Sequence, residues 1–523
     1  MSRAIRTSCF SALAVAAVVT ATTAPTTAQA PRSSPPAKAV LTAHGDPPDP
    51  VNVSAELKKV YAHIDANFDA HVARLQQWVR IPSVSNTIEG KPAVWDAARF
   101  IRDVIVKELG CPAQIHDPGL ADWGAPGLPV VYGRCDVGAE KTLLLYGMGD
   151  AMPIYGREPV WTHEPFGAHL FERPPFKLVM GGRAASNNKG KDLGAINALL
   201  SIKTVTGTLP VNVIFVIEHD EERMDLGLRK FMFDHPELFK DADAAFGHGN
   251  YQAADGFGVL NGQSIGCVVF DLETNAASTG LWNDQQPLWR HMNLVTKLFD
   301  DSSPLIKELE KDVQPLSAEE TAYYRRAAEQ TAAQLDDLLQ IRTRVRVTVT
   351  GTWSGGMVAG MAGRYTPPAA TSKIDIRYPP NIDGEEILRR VRSEIARLGY
   401  TDVTVKPVGI VPWSWANADT EIAAAALKMF RQFGVRYVEP PKGNFMPAGG
   451  SYYGPNYLFA RTPLQLPVIV AGLGWGTGAH ADNEFTVIKG DGHNIFGFAG
   501  TMKGFATILY NWAGKNGPMD STR

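Results

Sequence analysis

The sequence predicts an α/β fold: a central mixed, mostly parallel sheet covered by helices, with a second α+β (ferredoxin-like) domain inserted into it. Three observations carry this expectation. Short apolar runs alternate with amphipathic stretches through the first half of the chain, the pattern of a sheet built from strand–helix units. Near Gly262 the pattern changes to long strands that precede and follow helices, as in ferredoxin-type sandwiches. After Trp413 the α/β character returns. The expected parts are therefore residues 53–262 and 407–523 for the main domain and 263–406 for the inserted one.

The chain begins with a processing segment. Arg3 and Arg6 form a charged start, Phe10 to Thr20 is an apolar run, and Ala28-Gln29-Ala30 is a small-residue cleavage site. The run is too short to span a bilayer. Residues 1–30 read as a signal peptide, with no membrane anchor after cleavage and a periplasmic or extracellular protein as the outcome. Residues 31–52, rich in Pro, Ala and Ser, read as a disordered linker.

From Val53 the pattern is helical: Val60, Ile64, Phe68, Val72, Leu75, Trp78 and Val79 recur at spacings of three and four. Arg80 to Ser85 breaks it, and Trp95 to Leu109 is a second helix. Strands are expected at Pro129–Gly133, Thr142–Tyr146 and Asn212–Ile217, with helices at Leu193–Thr204 and Leu226–His235. The inserted part has strands at Ser264–Glu273, Thr343–Thr352, Lys373–Tyr378 and Asp402–Lys406. Its helices fall at Pro287–Phe299, Ala318–Leu339 and Gly384–Leu398. The last part has a helix at Glu421–Gln432, a strand at Pro467–Ala471, a Gly-rich loop at Gly472–Asn483 and a closing helix at Asn494–Trp512.

A formal net charge of -3 over 523 residues, with no basic patch interleaved with aromatics, argues against a nucleic-acid partner. Cys9 leaves with the signal. Cys111, Cys135 and Cys267 remain, so at most one disulfide is possible; all three read better as buried small hydrophobes.

The stretch Val213 to Arg223 carries the chemistry most openly. Five apolar residues run into Glu218-His219-Asp220-Glu221-Glu222. The acidic half sits where a strand leaves the sheet, which is where open α/β sheets place ligands. Adjacent carboxylates held out of water need a cation, a proton or a substrate to offset their repulsion.

Four further stretches follow strands: Tyr146 to Pro153 (YGMGDAMP), Gly182 to Gly190 (GRAASNNKG), Gly449-Gly450-Ser451, and Gly478 to Glu484 (GAHADNE). Together with Trp161 to Phe166, these motifs resemble the M20 family of metallopeptidases. That family includes carboxypeptidase G2-like enzymes, succinyl-diaminopimelate desuccinylase and carnosinase-type dipeptidases. The resemblance covers about Val53 to the C-terminus. It implies a hydrolase with a two-metal centre, and a lid domain through which family members form homodimers.

The resemblance also implies roles. Glu221 falls on the general base that activates water, Glu222 and His480 on ligands of one metal, and Asp150 on the aspartate of an H-x-D motif. Arg377 falls on the arginine that grips the substrate carboxylate. Gly450 and Ser451 fall on a carboxylate-binding loop. Lys189 is a further substrate-binding candidate, and with Arg183 it could supply positive charge to the site. Three metal ligands are replaced: the H-x-D histidine by Met148, the bridging aspartate by Asn187 and a later aspartate by Gly249. The lid histidine expected near Ala276-Ala277-Ser278 has no counterpart. A thioether suits soft cations, and a neutral amide cannot bridge two dications with its charge. At most one zinc or other divalent ion is then expected, on Glu222 and His480 with Asn187 oxygen as a third ligand and His248 at the other position. A metal-free site is also physically coherent.

The expected function is an exported M20-type hydrolase that cleaves an amide or peptide bond in a small carboxylate-bearing substrate, a dipeptide or N-acyl amino acid. The alternatives are a metal-independent amidase, lyase or isomerase on the same scaffold, and a peptide-binding pseudoenzyme.

Overall fold

The computed structural model of the chain describes residues 45–87, 90–247, 249, 251–275, 286–300, 303–331, 333–355, 367–448 and 453–517. Its central sheet has six strands in the order Ala113–His116, Val130–Cys135, Asn212–Glu218, Thr142–Met148, Ala244–Phe246 and Val468–Ile469. The last four pair in parallel, and the two at the other edge pair antiparallel. The sheet is thus mixed and mostly parallel.

Both faces of this sheet are covered, which explains why its strands read as unbroken apolar runs. Leu143, Leu145, Val213, Phe215 and Ile217 pack with the helices Ala55–Ala66, Gly190–Thr206, Glu421–Gln432 and Phe498–Trp512. The alternate residues Leu144, Tyr146, Met148, Ile214 and Val216 pack with the helix Leu226–Asp234 and with Tyr457, Leu458 and Phe459. Each such side chain, fully buried, contributes about 1.5–3 kcal/mol.

After Ala244–Phe246 the chain builds a four-stranded antiparallel sheet, ordered Val403–Val411, Gly266–Asn275, Ala369–Tyr378 and Arg346–Trp353. Helices Pro287–Phe299, Pro304–Glu310 and Gly384–Arg397 cover one face of it through Leu294, Leu298, Leu305, Leu309, Ile387 and Val391. Asp383 caps the last of these helices, its carboxylate accepting from the Glu385 and Glu386 N–H groups. The chain then returns to the central sheet at Val468–Ile469.

Several expectations are corrected. Cys111 and Cys135 form a disulfide, with Cα atoms 5.2 Å apart. The antiparallel edge brings them together: Arg134 N–H donates to Pro112 O, beside both cysteines. Among the described residues Cys267 alone remains a buried thiol. The expected helix Ala318–Leu339 is two helices, Ala318–Thr331 and Leu335–Thr343, and the first helical region breaks at Asn67 into Ala55–Ala66 and Phe68–Val79. The linker reading of 31–52 extends too far. Asp46 is buried, and its carboxylate accepts from the N–H groups of Gly490 (3.0 Å), Gly497 (2.7 Å) and Gly500 (2.9 Å). It caps the Phe498–Trp512 helix, whose own N-cap, Gly497, has no side chain to do so. Asp49 meets the buried Lys503 at 2.8 Å. Residues 1–44 lie outside the described residues.

A second four-stranded sheet was not expected. It runs Gly476–Thr477, Phe485–Lys489, Phe176–Gly181 and His169–Arg173. Phe485 pairs with Gly181, so the end of the His480 loop and the start of the Arg183–Lys189 loop emerge side by side.

Candidate active site

The site forms where the Thr142–Met148 and Asn212–Glu218 strands end, in register as Met148 and Glu218. Gly149 follows Met148 and must be glycine: a Cβ there would meet His219 Nε2 at 2.3 Å. That ring is buried, and its Nδ1 lies 3.2 Å from Pro129 O. Asp150 comes next, fully buried, with Oδ2 accepting from the Glu222 N–H at 3.1 Å. Asp150 therefore fixes the backbone of the Glu221–Arg223 turn. Burial, reinforced by the Glu222 charge, pushes its pKa up to about 7.

Glu222, His480 and Asn187 converge. Asn187 Nδ2 donates to Glu222 Oε1 at 3.0 Å and lies 3.1 Å from His480 Nε2. His480 Nε2 in turn lies 3.1 Å from Glu222. When the ring is charged it donates to Glu222; when neutral it can accept from Asn187. Burial opposes the charged ring, but the Glu222 carboxylate, with the Glu484 charge behind it, offsets this and the pKa of His480 is raised.

The Asn187 loop is held by a residue to which the sequence assigned no role. Glu484 is fully buried, and its carboxylate accepts from the N–H groups of Ala184 (3.1 Å), Ser186 (2.9 Å) and Asn187 (2.8 Å). Arg183 Nη1 donates to it at 2.8 Å, with the guanidinium 5.3 Å from the Trp161 ring centroid. Arg183 is thus tied to Glu484 and not to the Glu222 cluster. Ala184, Met224, Asp225 and His480 all have positive φ. Such backbone costs of order 1–3 kcal/mol each and gathers at functional sites.

Lys189 sits beneath this loop. It is fully buried, and its ammonium donates to Trp78 O (3.0 Å), Ile81 O (2.9 Å) and Ser83 Oγ (2.9 Å). Ser83 Oγ donates onward to Gly149 O at 2.6 Å. This commitment makes Lys189 a positioning residue for the Gly149–Asp150 turn, in place of the substrate contact expected for it. Burial lowers its pKa to about 7.

Glu221 is buried beside this cluster. Burial first, then the charges of Glu222, Asp225 and Asp150, raise its pKa well above the ordinary carboxylate value, while Arg377 pulls it back. Arg377 comes from the other sheet. Its guanidinium lies 4.6 Å from the Tyr453 ring centroid and 3.5 Å from Asp375. Tyr453, which feels the charges of Glu221, Glu222 and Arg377, was missed from sequence; its nearness to Ser451 was the available signal. Gly450, Ser451, His248 and the Ala276–Ser278 stretch lie outside the described residues.

The donor set decides what metal the site can take. Met148 is fully buried in the apolar cluster with Tyr146 and Phe459. Gly249 offers no side chain. Among the described residues no three His, Cys, Asp or Glu side chains come together as a metal-holding group. The described residues therefore do not assemble the donors of a two-ion centre. Glu222 and His480, with the amide of Asn187, are the set that could hold one ion.

A buried carboxylate, a carboxylate–imidazole pair and an arginine from a second sheet thus come together at the strand ends of an α/β scaffold. A family model described as Peptidase family M20/M25/M40 matches residues 144–491. The Cys-Gly metallodipeptidase of Saccharomyces cerevisiae is 26% identical over 498 residues, covering 87% of this chain and 98% of the relative. A solved structure of the di-peptidase Dug1p from that yeast superposes with a TM-score of 0.72 at 24% identity, covering 87% of this chain and 98% of its own. Human carnosine dipeptidase 1 superposes with a TM-score of 0.72 at 21% identity, covering 87% and 99%. The chain belongs to peptidase family M20/M25/M40 and is an enzyme of the peptidase and amidohydrolase type.

Proposed function

We propose that the protein is an exported hydrolase that cleaves the amide bond of a dipeptide or N-acyl amino acid, with Glu221 as general base. The observation that carries this reading is the placement of Glu221. It is buried, its proton affinity is raised, and it lies within electrostatic reach of Arg377 on the opposite sheet. A carboxylate of raised proton affinity can take a proton from water and pass it on, which is what amide hydrolysis asks of its base. Arg377, flanked by Tyr453, holds the substrate carboxylate. Glu221 takes a proton from the attacking water as the C–O bond forms. It then delivers that proton to the leaving nitrogen as the C–N bond breaks.

One divalent ion, zinc in the first instance, would sit on Glu222 and His480 and polarise the scissile carbonyl. A metal-independent reading of the same site draws on a specific contact. The Asn187 amide donates to Glu222 and lies within hydrogen-bond distance of His480, so those two groups have a neutral partner without a cation.

Export is supported by the N-terminal processing segment together with the Cys111–Cys135 disulfide, since disulfides persist in oxidising compartments. A homodimer through the inserted part is supported by exposed apolar side chains there: Leu288, Trp289 and Met292 on one helix, Val349 and Trp353 on the edge strand.

The test is metal analysis of the mature protein combined with Glu221→Gln on a dipeptide panel. Loss of about 10²–10⁴ in kcat is expected, with substrate binding retained. At most one ion per chain is expected. Full activity in the variant, or two tightly held ions, would overturn the reading.

A further inference from the structure

The sheet that carries Arg377 holds a second guanidinium beside it. In the antiparallel register Arg377 pairs with Cys267 on one side and Arg346 on the other, and Cys267 pairs with Val411. Directly opposed residues share a face, with Cα atoms about 4.5–5.5 Å apart. Val411, Cys267, Arg377 and Arg346 therefore form one row on one face. Val345 and Val347, which flank Arg346, pack into the helix-covered core on the opposite face. At the inner end of the row, Cys267 and Val411 pack into the apolar cluster of the central sheet. The row thus starts at the junction of the two sheets, passes Arg377 beside the Glu221 cluster, and ends at Arg346.

Like charges directly opposed across strands are destabilising unless something offsets them. Asp375 is the carboxylate within reach, and it pairs with Arg377 at 3.5 Å. Glu310 pairs instead with Arg344 at 3.6 Å. Among the described residues no carboxylate forms an ion pair with Arg346, which is half-buried. Burial, then the neighbouring Arg377, lower its affinity for its proton. Arg346 and Arg377 thus stand side by side on this row with Asp375 beside them, and Arg346 is the one of the two that has no ion-pair partner among the described residues.

We propose that Arg346 is a specificity-determining anion contact beside Arg377, and that the preferred substrate carries two negative charges on the portion these arginines hold. The chemical class is a small peptide or N-acyl amino acid ending in aspartate or glutamate. One arginine takes the terminal carboxylate and the other the side-chain carboxylate. This rests on the reading of Arg377 as the substrate-carboxylate contact.

The test compares glycyl-glutamate with glycyl-glutamine on the mature protein, by calorimetric binding and by KM. The two peptides differ by one charge at nearly constant shape. Wild type is expected to favour glycyl-glutamate by about tenfold or more, the scale of one hydrogen-bonded charge contact. Arg346→Gln should bring that ratio to within about twofold while glycyl-glutamine binding stays the same. Arg377→Gln should weaken both peptides. Rising salt should erode the wild-type preference, which gives a readout independent of any variant's folding. A wild type indifferent to the charge, or an Arg346→Gln variant that weakens both peptides equally, overturns the assignment of Arg346 and leaves Arg377 standing. Binding of neither peptide at millimolar concentration, with other dipeptides cleaved, overturns the acidic preference. Binding and cleavage of no dipeptide at all overturns the function itself and this assignment with it.

Discussion

Replacing Glu484 by glutamine should loosen the site from behind. In the native protein one carboxylate oxygen accepts from Ser186 and Asn187, and the other from Ala184 and Arg183. Glutamine keeps one oxygen and can preserve the first pair. Its NH₂ group then faces two donors, so two hydrogen bonds are lost and Arg183, with its side chain 4% exposed, is left as an uncompensated buried charge. Breaking a buried pair by removing one partner costs about 3–5 kcal/mol. Unfolding entropy of about 2.1 cal/mol/K per residue over about 500 residues makes roughly 1 kcal/mol per degree, so the midpoint should fall by about 3–5 °C.

The measurement is thermal unfolding at pH 8. Burial pushes the pKa of Glu484 up, with Arg183 and the N–H groups pulling it back, so the alkaline side favours its ionised form. Glu484→Gln combined with Arg183→Met should be less damaged than Glu484→Gln alone, because the second change removes the stranded charge. Activity should fall in both, since the loop that presents Asn187 to Glu222 loses its anchor. A midpoint within about 1 °C of wild type for the single variant, or a double variant as unstable as the sum of the singles, would refute the account.

Two other outcomes follow from the geometry. The acid limb of kcat/KM should report Glu221, which must be unprotonated to act, so the rate rises as pH passes through its raised pKa. Glu222→Gln removes the neighbouring charge that contributes most to that rise after burial, and should move the limb down by about one pH unit; an unmoved limb would deny Glu221 the role of base. Replacing both Cys111 and Cys135 by serine opens a loop whose ends are 24 residues apart. Denaturant titration should show a loss of about 3 kcal/mol, and a loss below about 1 kcal/mol would show that the pairing contributes little.

Much of the fold is legible in the chain because its signals are local. The helices Pro287–Phe299 and Glu421–Gln432 fall where their apolar spacing puts them, and Thr420 caps the second by accepting from the Ala423 N–H. Thr142–Met148 and Asn212–Glu218 read as strands because both their faces are covered. The sheet formed by Phe176–Gly181 and Phe485–Lys489 was not legible. Its strands lie some 300 residues apart, and each is short. The same distance hides the capping of a C-terminal helix by Asp46 and the place of Glu484 beneath the Asn187 loop. The disulfide joins cysteines only 24 residues apart, and what hides it is the antiparallel strand edge that brings them together.

The sequence alone determined which chemical groups the chain can bring to a site. It set Glu221 beside Glu222 at the end of a strand, and it placed the uncharged Met148, Asn187 and Gly249 in stretches where metal ligands were expected. The tertiary structure decided what each group faces. It turned Met148 into an apolar cluster, spent the Lys189 ammonium on two carbonyls and a hydroxyl, and set Arg346 in register with Arg377. The division has a physical cause. Residue identity, local propensity and the period of apolar positions are properties of a few consecutive residues. Burial, hydrogen-bond partners and proton affinity depend on which distant segments come to lie within a few ångströms.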